Sequence, residues 1–444
     1  MYGMTRKPLC SGMNDKGDNT MINDLLKGWK DCPCGQDHRC DIQFVSIRSG
    51  AVNDLTAFCA DYHRIVLVAD NNTWSVCGEK AAALLGNKVQ EKVVFCQEGL
   101  LIPNEAAIER VLAAITDETD LVLGVGSGVI NDLCKHCSFV SHLPYCIVAT
   151  APSMDGYASV GAAMITSNMK TTFGARVPAA IIGDVDVLKD APMRMIQSGF
   201  GDIIGKYSAL NDWKLAHLIN GETLCQRVYQ LVMDTVKKTE ALAGGIEKRD
   251  PQAIQTLMEA LVIVGIAMSF VGNSRPASGS EHHLSHYFEI VGILEDKEYF
   301  LHGIDVAYST VRTQLMREKL LQMTQLPESV PEYPRSAWEQ DIRSRYGIAA
   351  EGVMALQDKC GFYAKDYLSE YRAKWGDIRE ILAEVPSAEE IIAILKTAGL
   401  DYSEFEPFYG EKKILDAEWF AKDLKDRYTV LWPYFLLCFP RQGA

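Results

Sequence analysis

From Ile42 to about Ile182, short apolar runs alternate with longer stretches in which apolar residues recur every three or four positions. The runs Ile42–Ile47, Arg64–Ala69, Lys92–Phe95, Asp120–Gly124 and Tyr145–Ala149 predict buried strands, since a strand covered on both faces needs no polar side. Between them, Ala51–Tyr62, Trp74–Leu85 and Asn104–Ile115 carry the helical period. This alternation predicts a parallel α/β domain. Ala163–Thr166 and Pro178–Ile182 are also apolar and are expected to form a hairpin or edge extension. Beyond Asp186–Pro192 the pattern turns helical throughout: Phe200–Leu218, Thr223–Ala243, Pro251–Val271, Glu281–Val291 and Gly303–Leu321, then several more, punctuated by Pro331, Pro334, Pro386 and Pro433. The expected organisation is an N-terminal extension over 1–40, an α/β domain with a parallel sheet over 41–188, and an all-α domain over 189–444. Met1 to about Met21 is polar and glycine-containing, and is expected to be disordered.

A chain of 444 residues exceeds one compact core, which fits two domains. A net charge of −14 and a pI near 5.2 argue against nucleic acid or an anionic membrane as partner. Apolar runs reach only about a dozen residues, too short to span a bilayer, and the start lacks the apolar core of a signal peptide, so a cytoplasmic protein is expected. The 13 cysteines follow no regular framework, which suits a reducing compartment. Cys32, Cys34, His38 and Cys40 are zinc-ligand types, but C-x-C is tighter than the usual finger spacing, and a Pro-Gly turn is the expectation there.

Asp120-Leu-Val-Leu-Gly-Val-Gly-Ser-Gly-Val-Ile-Asn-Asp132 reads as a strand, a glycine turn and a helix start. Gly124, Gly126 and Gly128 either let the backbone approach a pyrophosphate or let helix pack on strand; the pattern leaves both open. Thr150-Ala-Pro-Ser-Met-Asp-Gly156 follows the next strand, bringing hydroxyls and an acid to the same sheet edge. Asp70 ends an earlier strand, where a carboxylate can accept from ribose hydroxyls. It precedes the glycines, which excludes the ordinary Rossmann fingerprint.

Ser278-Gly-Ser-Glu-His-His-Leu-Ser-His286 places His282 and His286 on one helix face, with His302 following. With an acid such as Asp202, these types suit a divalent metal; a plain polar helix face would explain the spacing equally. His283 is rotated off that face and is expected to be structural.

Five motifs together resemble the sn-glycerol-1-phosphate dehydrogenases, within the group of dehydroquinate synthases and iron-containing alcohol dehydrogenases: Gly126–Lys135, Thr150–Ser159, Gly201–Lys206, Gly279–His286 and Leu301–Gly303. The long helical tail and cysteine-bearing start look like the bacterial branch. The resemblance implies a dehydroquinate synthase-like two-domain fold and NAD(P)-dependent, metal-assisted reduction of dihydroxyacetone phosphate to sn-glycerol 1-phosphate. It implies a metal (zinc, nickel or iron) on Asp202, His282 and His302, with Asp202 also close to substrate. It further implies that Gly126, Ser127, Gly128, Asp132, Thr150, Ser153 and Ser159 line the nicotinamide cofactor, with Asp70 on the ribose. Asp155 and His286 are implied to contact substrate, His286 relaying a proton and Asp155 orienting a hydroxyl. Lys206, Arg176 and Arg275 are candidates for the substrate phosphate because each lies near a motif. A dehydroquinate synthase-like cyclase would carry glutamate at Asp202 and asparagine at Gly279, so the cyclase reading loses ground. Glycerol dehydrogenase activity on the same scaffold is a rival reading, as is a non-catalytic nucleotide or metal sensor. The complete Asp202, His282 and His302 set together with Asp155 counts against the sensor. A homodimer is expected.

Overall fold

The computed structural model describes residues 20–97, 99, 101–166 and 169–440. Of the stretch expected to be disordered, all but the last two residues lie outside these; Thr20 and Met21 open a short helix, Thr20–Leu26.

Among the described residues eight strands follow: β1 (Phe44–Arg48), β2 (Ile65–Asp70), β3 (Val89–Phe95), β4 (Leu121–Gly126), β5 (Tyr145–Ala149), β6 (Gly161–Thr166), β7 (Met169–Gly174) and β8 (Ala180–Asp184). Six form one parallel sheet in the order β1-β8-β5-β4-β2-β3. Every residue of β4, β5 and β8 is buried, as continuous apolar runs require when helices cover both faces. The expected hairpin differs in its second arm. β6 pairs antiparallel with β7, while the run at Pro178–Ile182 supplies β8, which inserts between β1 and β5. An all-apolar strand is stable only with neighbours on both sides, which an edge position does not offer.

The predicted helix at Ala51–Tyr62 shrinks to a 3₁₀ turn and one α-turn ending at Phe58, and that at Trp74–Leu85 begins with a π-turn. After β8, helices dominate. Pro251–Val271 matches its predicted bounds because its punctuation is local: Asp250 accepts from the Ala253 amide at 3.0 Å, Pro251 opens the first turn, and Gly272 closes the last at φ 75°. By length and composition this helix is long and apolar enough to cross a membrane, which corrects the reading that apolar runs are too short; 83% of its apolar window is buried inside the protein. The predicted helix Phe200–Leu218 is two, Met193–Ile204 and Lys206–Asn220, meeting at Gly205, where a Cβ would lie 2.5 Å from Val306.

The strand order has one consequence for chemistry. From β2 the chain steps outward to β3, returns to β4 on the other side, then moves on to β5. Chain direction therefore diverges between β2 and β4, and a crevice opens at their carboxyl ends, the usual ligand position in open α/β sheets. Asp70 ends β2 and Gly126 ends β4, so the two flank that point.

Candidate metal and nucleotide site

Three helices and one loop converge. Asp202 lies on helix Met193–Ile204, His282 and His286 on helix Ser280–Glu295, His302 opens helix His302–Leu321, and Asp155 follows β5. The approach is close enough to exclude side chains: a Cβ on Gly199 would fall 1.8 Å from Pro152 O, and one on Gly303 1.8 Å from Ser198 O. The start of helix Ser280–Glu295 is fixed by the Asp212 carboxylate, which accepts from the Ser280 amide at 2.7 Å and pairs with Arg317 at 2.8 Å, all three residues being buried. These contacts bring one ligand atom each of Asp202, His282 and His302 within 4.8 Å of one another.

The ring of His282 is set from behind. Its Nδ1 lies 2.7 Å from Glu281 Oε1, which also accepts from the Gly279 amide, leaving Nε2 on the side of Asp202, 3.5 Å from Oδ1. Such a carboxylate behind an imidazole fixes the tautomer a metal needs. Burial, reinforced by the charges of Lys206, His302, Lys425 and His286, holds His282 well below the ordinary imidazole range, hence neutral. Burial and nearby Asp212 raise Glu281 to about 7. The His302 ring centroid is 5.1 Å from that of His282, and its Nδ1 is 3.4 Å from Ser285 Oγ. His286 sits further out, its ring 6.1 Å from His282 and 5.6 Å from His302, and it groups with Glu289 and His302. His283 points elsewhere, into the interior.

Lys206 occupies a place the sequence did not suggest. Its fully buried ammonium lies 2.6 Å from both Asp155 Oδ2 and Asp202 Oδ1, while Asp202 Oδ2 accepts from the Asp155 amide at 3.0 Å. Burial disfavours the Lys206 charge, but Asp155 and Asp202 outweigh it and hold the group above the usual lysine range. Burial, with Asp202 adding to it, raises Asp155 despite Lys206. Arg275, another of the three candidates for a substrate phosphate, is committed elsewhere. It is buried and forks onto Glu222 at 2.7 and 2.6 Å, with Tyr428 O at 2.9 Å, which corrects that expectation. Arg176 lies over the Phe139 ring.

At the sheet edge, the glycines divide. A Cβ on Gly126 would meet Ile130 at 2.6 Å and one on Gly124 would meet Cys134 Sγ at 2.9 Å, so both serve close packing of helix Gly128–Val140 on β4. Gly128 meets only Met154, at 3.7 Å, so internal packing does not require glycine there. Ser127 precedes the helix without a side-chain cap bond. The Thr150 amide donates to Gly126 O at 3.1 Å, and Thr150 and Ser153 are buried beside the turn. Asp132 and Ser159 serve the fold: Asp132 Oδ2 accepts from the β6 amide of Ala163 at 3.0 Å, and Ser159 Oγ accepts from buried Lys135 at 3.1 Å. Asp70 Oδ1 accepts from the Thr73 amide at 2.8 Å, in a capping box.

Sequence reasoning missed Glu281, Ser285, Glu289 and the site of Lys206. Glu281 and Ser285 lie within Gly279–His286; the spacing of Ser285 three residues after His282 was the available signal, whereas Glu281 adjoins His282 and has no helical spacing to the histidines of that stretch.

The family model described as "Iron-containing alcohol dehydrogenase" matches residues 46–192. The chain is 35% identical to a glycerol-1-phosphate dehydrogenase [NAD(P)+] of Geobacillus thermodenitrificans over 393 residues, covering 86% of this chain and 89% of that protein. It is 36% identical to the protein of the same name from Bacillus subtilis over 282 residues, covering 60% and 69%. Among solved structures, maleylacetate reductase from a Rhizobium strain matches with a TM-score of 0.58 at 13% identity, covering 90% of this chain and 96% of that one, a likeness of fold. The chain therefore belongs to the glycerol-1-phosphate dehydrogenase family of the iron-containing alcohol dehydrogenases.

Proposed function

We propose that this chain is an NAD(P)-dependent glycerol-1-phosphate dehydrogenase that reduces dihydroxyacetone phosphate to sn-glycerol 1-phosphate with a divalent metal. The observation that carries this reading is the set of one carboxylate and two imidazoles, buried Asp202 and His282 with half-buried His302, brought within 4.8 Å beside the carboxyl edge of a parallel sheet. The donor set fits the metal: His282 is neutral with Nε2 free of its orienting bond to Glu281, and mixed oxygen and nitrogen ligands accept zinc, nickel or iron. When bound, the nicotinamide supplies hydride and the cation supplies positive charge to polarise a carbonyl.

The chain's own residues do the rest. The Gly126–Gly128 turn and the amides opening helix Gly128–Val140 receive the pyrophosphate, with Thr150 and Ser153 alongside. Asp70, with one oxygen engaged by Thr73, has the other to offer a ribose hydroxyl. Asp132 and Ser159 act by holding the β6 side of this crevice in place. Asp155 orients a substrate hydroxyl, and the Lys206 ammonium bridges Asp155 and Asp202 and holds the two carboxyl groups side by side. His286, one helical turn beyond His282 and nearer the rim, delivers a proton to the substrate's carbonyl oxygen from its imidazole. We assign the cofactor to 41–188 and the metal and substrate to 189–444. The acidic net charge of −14 disfavours nucleic-acid and membrane partners and the thiol-rich composition suits a reducing cytoplasm; the substrate of this reading is a small phosphorylated triose and its assembly a homodimer.

The test is NADH and NADPH oxidation with dihydroxyacetone phosphate, before and after chelation, with zinc, nickel and ferrous iron restored singly. Oxidation that chelation abolishes and one metal restores supports the reading. Reduction of unphosphorylated dihydroxyacetone in place of the phosphorylated triose, or of neither, refutes it.

A further inference from the structure

Cys32, Cys34, His38 and Cys225 lie with one ligand atom each within 4.8 Å of one another, and none belongs to the Asp202–His282–His302 set. Cys225 comes from the far side of the sheet domain in sequence, at the start of helix Gln226–Glu240, and Cys40 is not among the four. We propose that these four residues hold a structural zinc ion that fastens the N-terminal segment to the helical region.

The spacing is that of a tetrahedron. Zinc bonds of about 2.3 Å to sulfur and about 2.0–2.1 Å to nitrogen imply S···S edges of about 3.8 Å and S···N edges of about 3.5 Å. Cys32 Sγ lies 3.7 Å from Cys225 Sγ, and His38 Nε2 lies 3.3 Å from both Cys34 Sγ and Cys225 Sγ. The tautomer is also set: His38 Nδ1 donates to Phe270 O at 2.8 Å, which leaves the Nε2 lone pair facing the sulfurs. The chain between the ligands is folded tightly enough to present them together. Gly35, at φ 83°, donates to Cys32 O at 2.8 Å, and Trp29 and His38 pair backbone to backbone at 2.8 Å in both directions. Three thiolates and an imidazole closed around a centre, with no fourth position for substrate, match a structural rather than a catalytic zinc. The anionic site has a cation close by, since Arg227 stacks 3.9 Å over Trp29, whose ring in turn packs edge-on against His38. The ion would join the segment around Trp29–His38, the start of helix Gln226–Glu240 and the end of helix Pro251–Val271, where Trp29 already packs on Phe270.

The test begins with the His282→Ala/His302→Ala double variant, purified from zinc-supplemented medium under reducing conditions. It should retain one zinc per chain, with X-ray absorption reporting three sulfur neighbours and one nitrogen at the distances above. Adding Cys34→Ser should remove that zinc and lower Tm. Stripping the zinc with a chelator should lower Tm of the double variant to the same level, which serves if a cysteine variant fails to fold. In cobalt-loaded double variant, a thiolate-to-cobalt charge-transfer band should appear, and Cys225→Ser should abolish it. A double variant without zinc, zinc with only nitrogen and oxygen neighbours, or a Cys32–Cys225 disulfide in the reduced protein would overturn the assignment. None of these readouts depends on turnover, so the result is independent of the catalytic reading.

Discussion

Replacing Lys206 by methionine should destabilise the metal-free protein and tighten metal binding. In the structure the ammonium is fully buried and lies 2.6 Å from two carboxylates, Asp155 and Asp202, themselves linked through the Asp155 amide. Methionine keeps the length and removes the charge, leaving two buried carboxylates facing each other. Removing one partner of a buried ion pair costs about 3–5 kcal/mol. At about 2.1 cal/mol/K per residue, 444 residues give an unfolding entropy near 0.9 kcal/mol/K, so the loss reads as a fall in Tm of about 3–5 °C. A divalent cation on Asp202, His282 and His302 restores positive charge at the same carboxylate, so the loaded variant should lose less. By linkage, whatever the loaded form is spared appears as affinity; if it is spared the whole cost, the metal binds about 10²- to 10⁴-fold more tightly. Calorimetric melting of chelated and metal-saturated protein, with a competition titration for the metal, measures both halves. An apo variant that melts with wild type, or one that binds metal more weakly, would show that Lys206 does not hold the two acids together.

Further consequences follow from the same geometry. Glu281→Ala removes the acceptor behind His282 Nδ1 and should raise the metal dissociation constant by about 10- to 100-fold, checked by the same competition titration; unchanged affinity would mean the ring is held by packing alone. Gly128→Val should leave Tm close to wild type, because a Cβ there meets only Met154, yet raise the KM for NADH, whereas Gly126→Val should cost stability through its clash with Ile130. Equal losses of stability in both would return Gly128 to a packing role. His286→Ala should retain metal and lower kcat by about 10²- to 10⁴-fold with a changed pH profile; loss of metal in this variant would make His286 a ligand, and near-normal turnover would leave proton delivery to water.

What was legible in the sequence is what local physics encodes. Continuous apolar runs marked β2, β4 and β5 as buried strands, and Asp250, Pro251 and Gly272 bounded their helix to the residue, because capping and burial depend on neighbours only a few positions away. The four-residue spacing of His282 and His286 likewise put both on one face. Pairing at a distance is a different matter, since it is decided by how whole elements pack. Nothing in the apolar run at Pro178–Ile182 distinguishes a hairpin arm from a strand inserted between β1 and β5. Strand order alone brought Asp70 to the crevice beside Gly126, more than fifty residues downstream. A side chain's partner is equally non-local. Arg275 and Lys206 are both cations beside motifs, yet one closes on Glu222 and the other on Asp155 and Asp202, because a buried charge must find an opposite charge within reach wherever the fold supplies one. Cys225 joins Cys32, Cys34 and His38 for the corresponding reason: a tight turn can gather three donors by itself, but only the packed helix that Cys225 precedes can bring the fourth.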